Sequence, residues 1–253
     1  MVKKLHQNLK IPVTCKIRCL TNEEKTLELA LAIQDAGASL LTVHGRLKEH
    51  NKHRVGTCNY HIIKKIKQTL QIPVIANGGI STFKDVEMAL ELTGCDGVMS
   101  SESILEYAAL FDPLKCHDLD DLTLEYLELY EKYPGEADIS HIRAHFFKFL
   151  YTGLQRHTDL RDRTGRSKTL EEFKAIAAEM KERRKEESVE SKIGWYYRHW
   201  KSMGLDKDVS PTYSVQDWNE QCSLDPLINK PNCGKRKPGT NEETGLVLEK
   251  CLE

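Results

Sequence analysis

Four short apolar runs each hand over to a polar side chain, the way a βα barrel presents chemistry at one rim. Ile11-Pro12-Val13-Thr14-Cys15 leads to Lys16, and Leu40-Leu41-Thr42-Val43 leads to His44. Val74-Ile75-Ala76 leads to Asn77-Gly78-Gly79, and Gly97-Val98-Met99-Ser100 leads to Ser101-Glu102. A lysine neutralises negative charge, and adjacent glycines let backbone approach a phosphate closely. Singly, each has an ordinary reading: a lysine covering a rim, a satisfied histidine at a strand end, an Asn-Gly-Gly turn. Their recurrence at the same place in successive units gives them weight. Metal chemistry has no such support, because the eight cysteines are scattered, with no Cys-x-x-Cys pair and no histidine at zinc-site spacing. No metal is expected, and the thiols read as reduced.

Each run is followed by a helical pattern, so the elements that position these groups are βα units. In a βα barrel the residues at the carboxyl ends of the strands build the active site, and the last two strands usually hold a phosphate. Thr21 with Glu24 predicts a capped helix that Gly37 ends, with Leu27, Ala30 and Leu31 buried. Asn59 predicts a second, with Ile62, Ile63, Ile66 and Leu70 as its inner face. Ser81 predicts a third, ending at Gly94. Strands alternating with helices at this spacing imply a parallel sheet. Four units are present where a closed barrel has eight. Val2, Leu5 and Leu9 lie at helical spacing ahead of the first strand, so the chain is expected to open inside a connecting helix and to read as a barrel cut in half. Val13, Ile17, Leu41, Val43 and Val74 would then lack part of their cover, and the exposed edges would favour self-association.

After Pro113 the pattern is helical only, over 119–133, 140–160 and 169–190. The expected organisation is therefore a partial barrel over 1–114, an all-α domain over 115–192, and an aromatic segment with a largely disordered tail over 193–253. With 253 residues, 40% hydrophobic and 30% charged, the composition is that of a globular protein, and no apolar run is long enough to cross a membrane. The opening residues lack a secretory core, so a cytoplasmic location is expected. A net charge of −1 conceals an uneven distribution. Residues 141–185 hold 12 Lys plus Arg against 6 Asp plus Glu, a local +6 that leaves −7 elsewhere and marks that segment for a polyanion.

Val13-Thr14-Cys15-Lys16-Ile17-Arg18, Thr42-Val43-His44-Gly45-Arg46, Ala76-Asn77-Gly78-Gly79-Ile80 and Gly97-Val98-Met99-Ser100-Ser101-Glu102 resemble, in order and spacing, the second half of the tRNA-dihydrouridine synthases. The likeness extends over roughly residues 2–185 and includes Arg143, His145 and Lys148. It implies an α/β fold: the C-terminal half of a flavin-binding TIM (βα)8 barrel followed by an all-α tRNA-binding domain. The implied activity is FMN-dependent reduction of uridine to 5,6-dihydrouridine in the tRNA D-loop, with NADPH or NADH as reductant.

By position, the resemblance puts Lys16 against the flavin ring and His44, Asn77, Gly78, Gly79, Ser101 and Glu102 around the FMN. It puts Arg143, His145, Lys148 and Arg156 on tRNA, with Arg161, Arg163, Arg166 and Lys168 as further basic candidates. Many members carry Gly-Arg where Ser101-Glu102 stands, and Ser103 replaces a usual glycine, which would stiffen that turn. The family's catalytic cysteine belongs to an Asn-x-Gly-Cys-Pro motif ahead of the first strand found here. No cysteine in this chain has that context, so no catalytic residue is assigned. A chain that binds tRNA through its helices without redox activity is the alternative.

Overall fold

The computed structural model describes residues 1–49, 58–112 and 117–185. The run from Trp195 to Trp200, the tail, Cys116, Cys222, Cys233, Cys251, the end of the last helix and the 114/115 boundary all fall outside the described residues.

Helix α1 (Val2–Asn8) precedes strand β1 (Thr14–Cys19), and then come α2 (Glu23–Asp35), β2 (Leu40–Leu47), α3 (Tyr60–Thr69), β3 (Val74–Asn77), α4 (Phe83–Thr93) and β4 (Gly97–Met99). All four strands are parallel, in the order β1-β2-β3-β4. Helices α2, α3 and α4 lie over successive strand pairs and against one another. Each crossover advances one strand in the same sense, which keeps all three helices on one face.

The burial pattern fixes which face. Cys15, Ile17, Leu41, Val43, Val74 and Ala76 alternate along the strands with the polar set and pack into the core with Ile62, Ile63 and Ile66 of α3. Fully burying each of those isoleucines contributes roughly 1.5–3 kcal/mol. Leu41, Val43 and Val74 are fully buried and Val13 is nearly so. The expectation that they lack cover is therefore corrected: their alternation turns them toward the helices. Ile17 is half-buried. Leu5, Leu9 and Ile11, ahead of β1, are among the large apolar groups left exposed.

Several local expectations are corrected. Asn22, not Thr21, caps α2, accepting from the Lys25 amide at 2.8 Å, in keeping with the stronger N-cap preference of asparagine over threonine. Thr82, not Ser81, caps α4, in a reciprocal box with Asp85. A box on Ser81 would need an acceptor at Lys84, which has none. Asn59 caps α3 and left-handed Gly94 ends α4, as expected. β1 and β3 begin later than expected because Pro12 and Pro73 cannot donate to a ladder. β2 runs on to Leu47, past a register shift between Arg18 and Cys19.

A short 3-10 turn (Ser103–Leu105) leads toward a second core built from α5 (Leu119–Lys132), α6 (Ile139–Phe149), α7 (Tyr151–Arg156), α8 (Thr158–Arg166) and α9 (Leu170–Lys185). The single helix expected over 140–160 is three pieces, broken at Leu150 and His157. In one straight helix Leu160 would lie about 120° round from Leu154, yet both are buried in the same core. Gly153 completes the bend, for a Cβ there would meet the Met180 sulfur at 2.5 Å.

Candidate functional site

The polar side chains of the strands share the face opposite the helices. The register puts Lys16, Thr42, Ile75 and Gly97 on one rung and Arg18, His44, Asn77 and Met99 on the next. With strands about 4.8 Å apart and a rise of about 3.3 Å per residue, Lys16 lies within roughly 8 Å of His44 at the backbone. Lys16 and His44 lie inside their strands and not at the ends, so it is shared parity that brings them together. Cys15, by the same parity, belongs to the helix side.

Cations crowd this face. Burial lowers the Lys16 pKa, and Arg18 lowers it further. Burial lowers that of Arg18 too, with Arg46 adding to it. Arg18 donates to the Leu47 carbonyl at 2.9 Å. Arg46 is buried. Three cations that raise one another's energy form a patch that a bound anion relieves.

The Asn77-Gly78-Gly79 turn borders the patch. Both glycines have positive φ, +105° and +77°. A Cβ on Gly78 would lie 2.8 Å from the His44 ring, and one on Gly79 would lie 2.9 Å from the Tyr60 hydroxyl. The imidazole thus packs directly on the Gly78 backbone, which only glycine permits. The Asn77 side-chain amide donates to the Met99 carbonyl at 2.7 Å, tying β3 to β4. Ser100 donates to the Ile80 carbonyl at 3.0 Å and holds the end of β4 beside the same turn. Ser101 and Glu102 follow as exposed residues. Ser103 is buried in the 3-10 turn, a right-handed conformation that serine adopts freely, so it does not strain the turn.

Arg18, Arg46, Cys58 and Tyr60 join the site without having been singled out from the sequence. Arg18 was findable, two residues beyond Lys16 on the same strand face. Tyr60 carries no such signal, because it reads as the first residue of a helix.

The described cysteines offer no acid to this face. Burial pushes the Cys19 thiol up to about 12 and the Cys58 thiol up to about 11, while Cys95 lies before β4, at the amino end of the sheet.

The helical candidates differ in their partners. Arg143 donates to the Ser167 carbonyl at 2.6 Å, bracing the end of α8. His145 Nδ1 meets the Tyr126 hydroxyl at 2.8 Å, and both rings pack on Phe149. Arg163 pairs with Glu179, and Arg183 with Asp159 and Glu179. Lys148, Arg161, Arg166 and Lys168 have no ion pair among the described residues. Arg156 is exposed. Among the described residues there is no group of His, Cys, Asp and Glu that could hold a metal, and no helix is long and apolar enough to cross a membrane.

A family model described as dihydrouridine synthase matches residues 1–193. The tRNA-dihydrouridine(16/17) synthase [NAD(P)(+)]-like protein of Rattus norvegicus is 38% identical over 194 residues, 77% of this chain and 44% of that protein. The tRNA-dihydrouridine(16/17) synthase [NAD(P)(+)] of Schizosaccharomyces pombe is 33% identical over 261 residues, 94% of this chain and 62% of that protein. The tRNA-dihydrouridine(16) synthase of Yersinia pestis is 34% identical over 173 residues, covering 66% and 55%. The chain thus spans between 44% and 62% of the length of these relatives.

Proposed function

We propose, from the premise that this chain belongs to the dihydrouridine synthase family, that it serves the FMN-dependent reduction of uridine to 5,6-dihydrouridine in the tRNA D-loop. Its part is half of a (βα)8 barrel rim, which holds the flavin, and the helices that hold the tRNA. The observation that carries the reading is the shared face: Lys16, Arg18, His44 and Asn77 stand on adjoining rungs beside a turn whose Gly78 and Gly79 leave no room for a Cβ. Such a cradle fits a flat group with an anionic tail. When bound, FMN supplies the redox chemistry, using reducing equivalents from NADPH or NADH.

The chain's own residues bind and orient. Lys16 presents a fixed positive charge where negative charge develops on the ring system, and its neighbour Arg18 adds to that field. His44, packed on Gly78, fixes the floor of the site, and the Asn77–Met99 bond holds β3 and β4 in register. Ser101 and Glu102 border the cofactor at the end of β4. The target base must leave the tRNA stack at a cost of a few kcal/mol, and phosphate contacts offset this. Lys148, Arg156, Arg161, Arg166 and Lys168 are the contacts, with Arg143 and His145 shaping the helices that bear them. The exposed Leu5, Leu9 and Ile11 beside the β1 edge provide a surface for self-association, and the cytoplasm is the compartment such a tRNA enzyme works in.

A second reading, tRNA binding without reduction, is favoured by one observation: the described cysteine thiol at the site, Cys58, is buried, raised to about 11 and taken by the Asn77 carbonyl. Incubating the chain with tRNA, FMN and NADPH, then quantifying dihydrouridine by nucleoside mass spectrometry beside a tRNA gel shift, separates the two. Dihydrouridine supports the first reading, and a gel shift alone supports the second. Absence of both defeats the tRNA assignment.

A further inference from the structure

Tyr60, the first residue of α3, is almost wholly buried, and its hydroxyl donates to the Gly78 carbonyl at 2.7 Å. The contact is unusual for its place: a helix N-terminus reaches across to grip the backbone of a loop eighteen positions on. Cys58 completes the grip, with its thiol 3.4 Å from the Asn77 carbonyl. Its high pKa keeps that thiol a donor at neutral pH. Gly45 is the space that admits this arrangement, since a Cβ there would lie 2.7 Å from the Cys58 sulfur and 2.8 Å from the Asn59 carbonyl.

The consequence follows from peptide geometry. The Gly78–Gly79 peptide is trans, as are all those described, so its carbonyl and its amide point in opposite directions. Holding the Gly78 carbonyl toward Tyr60 turns the Gly79 amide away from Tyr60. That amide donates to no acceptor among the described residues, whereas the Ser81 and Thr82 amides just beyond are both taken by Asp85. A flexible Gly-Gly pair left to itself would sample both orientations of this peptide plane, because glycine tolerates either sign of φ.

We propose that Tyr60 is a positioning residue that locks the Gly78–Gly79 peptide so that the Gly79 amide faces the phosphate of the bound cofactor. This rests on the flavin reading above and adds to it the residue that pre-sets the phosphate donor. Tyr60 touches no reacting atom. Its effect is to remove, before binding, the freedom that the phosphate would otherwise have to freeze.

The test compares FMN with riboflavin, which lacks the phosphate, by flavin-fluorescence titration of the full chain and of Tyr60→Phe, a substitution that keeps the ring packing and removes only the donor. Expected is an FMN affinity that falls about 3- to 10-fold, the effect of one lost hydrogen bond, with riboflavin affinity changed less than about twofold. An equal loss for both flavins, or no loss for either, overturns the lock, since packing alone would act on the ring as much as on the phosphate. A wild-type chain that does not distinguish FMN from riboflavin overturns it as well while leaving flavin binding intact. A wild-type chain that takes up neither defeats the flavin reading instead. The lock is then decided by the Gly79 amide resonance under inorganic phosphate. A shift in wild type that Tyr60→Phe abolishes supports the lock, and silence in both overturns it.

Discussion

The sheet face and the helical region are both rich in cations, but they treat them oppositely. On the sheet like charges stand together: beyond the effect of burial, Arg18 lowers the pKa of Lys16 and Arg46 that of Arg18. In the helices several cations are instead matched with carboxylates: Lys174 with Glu131, Lys181 with Asp121, Arg163 and Arg183 with Glu179, Arg184 with the buried Asp120. The local +6 of residues 141–185 is thus a poor guide to where a polyanion would sit. A net charge counts pairs and lone charges alike, and only geometry separates them.

The contrast can be broken most severely at the sheet. Gly78→Val puts a branched side chain at φ +105° and into the His44 ring, so FMN affinity should fall at least about 100-fold, from strain and clash together. Gly94→Ala, also at positive φ but with nothing within 4 Å, should cost only about 1–2 kcal/mol of stability and leave FMN affinity unchanged. Paired titrations and thermal melts of the two variants check this.

In the helices, replacing Arg166 and Lys168 together by Ala should weaken tRNA binding and lower the salt slope by up to about 2. The Arg163→Ala and Lys174→Ala pair should leave that slope nearly unchanged, as measured by gel shifts at several salt concentrations. Arg143→Ala should act on stability instead, by about 1.5–3 kcal/mol, because it removes a charged donor from the Ser167 carbonyl, and a lower melting temperature with a retained salt slope would show it.

The smallest effect concerns pH. Burial lifts the Asp120 carboxyl to about 6, against Arg184, which lowers it, and Asp118 and Asp121, which raise it. A carboxyl whose folded value lies above its unfolded value of about 3.9 contributes stability that is full below the unfolded value and lost as pH rises through the folded one. Wild type should therefore gain on Asp120→Asn in melting temperature as pH falls from 7 toward 4.5.

Much of the sheet was legible in the sequence because its signals are local. Asn59 and Gly94 punctuate their helices as the residue types predict, and the inner face of α3 is the isoleucine stripe that its spacing spells out. Thr21 and Ser81 misled because two capping residues stood side by side; at α4 the reciprocal acceptor Asp85 decides for Thr82, whereas at α2 Asn22 wins although Glu24 stands three residues after Thr21. The run over 140–160 misled for a different reason. Its apolar spacing is helical throughout, and only the demand that Leu154 and Leu160 enter one core forces the breaks. At the site, Lys16, His44 and Asn77 were legible as the polar residues that follow apolar runs, although Lys16 and His44 lie inside their strands and meet by parity; the Tyr60 bond to Gly78 was not, since no periodicity couples a helix start to a distant carbonyl. Arg143 shows the converse, a basic residue whose charge suggests RNA but whose partner is the Ser167 carbonyl.

The central claim is that residues far apart in sequence meet on one ligand at one face of the sheet. Amide and side-chain resonances of the isotope-labelled chain titrated with FMN test it most directly. The account predicts that the largest shifts fall together on Lys16, His44, Gly78 and Gly79, saturating with a single affinity. Shifts confined to one strand, or centred on the helical region while these four stay silent, would contradict it.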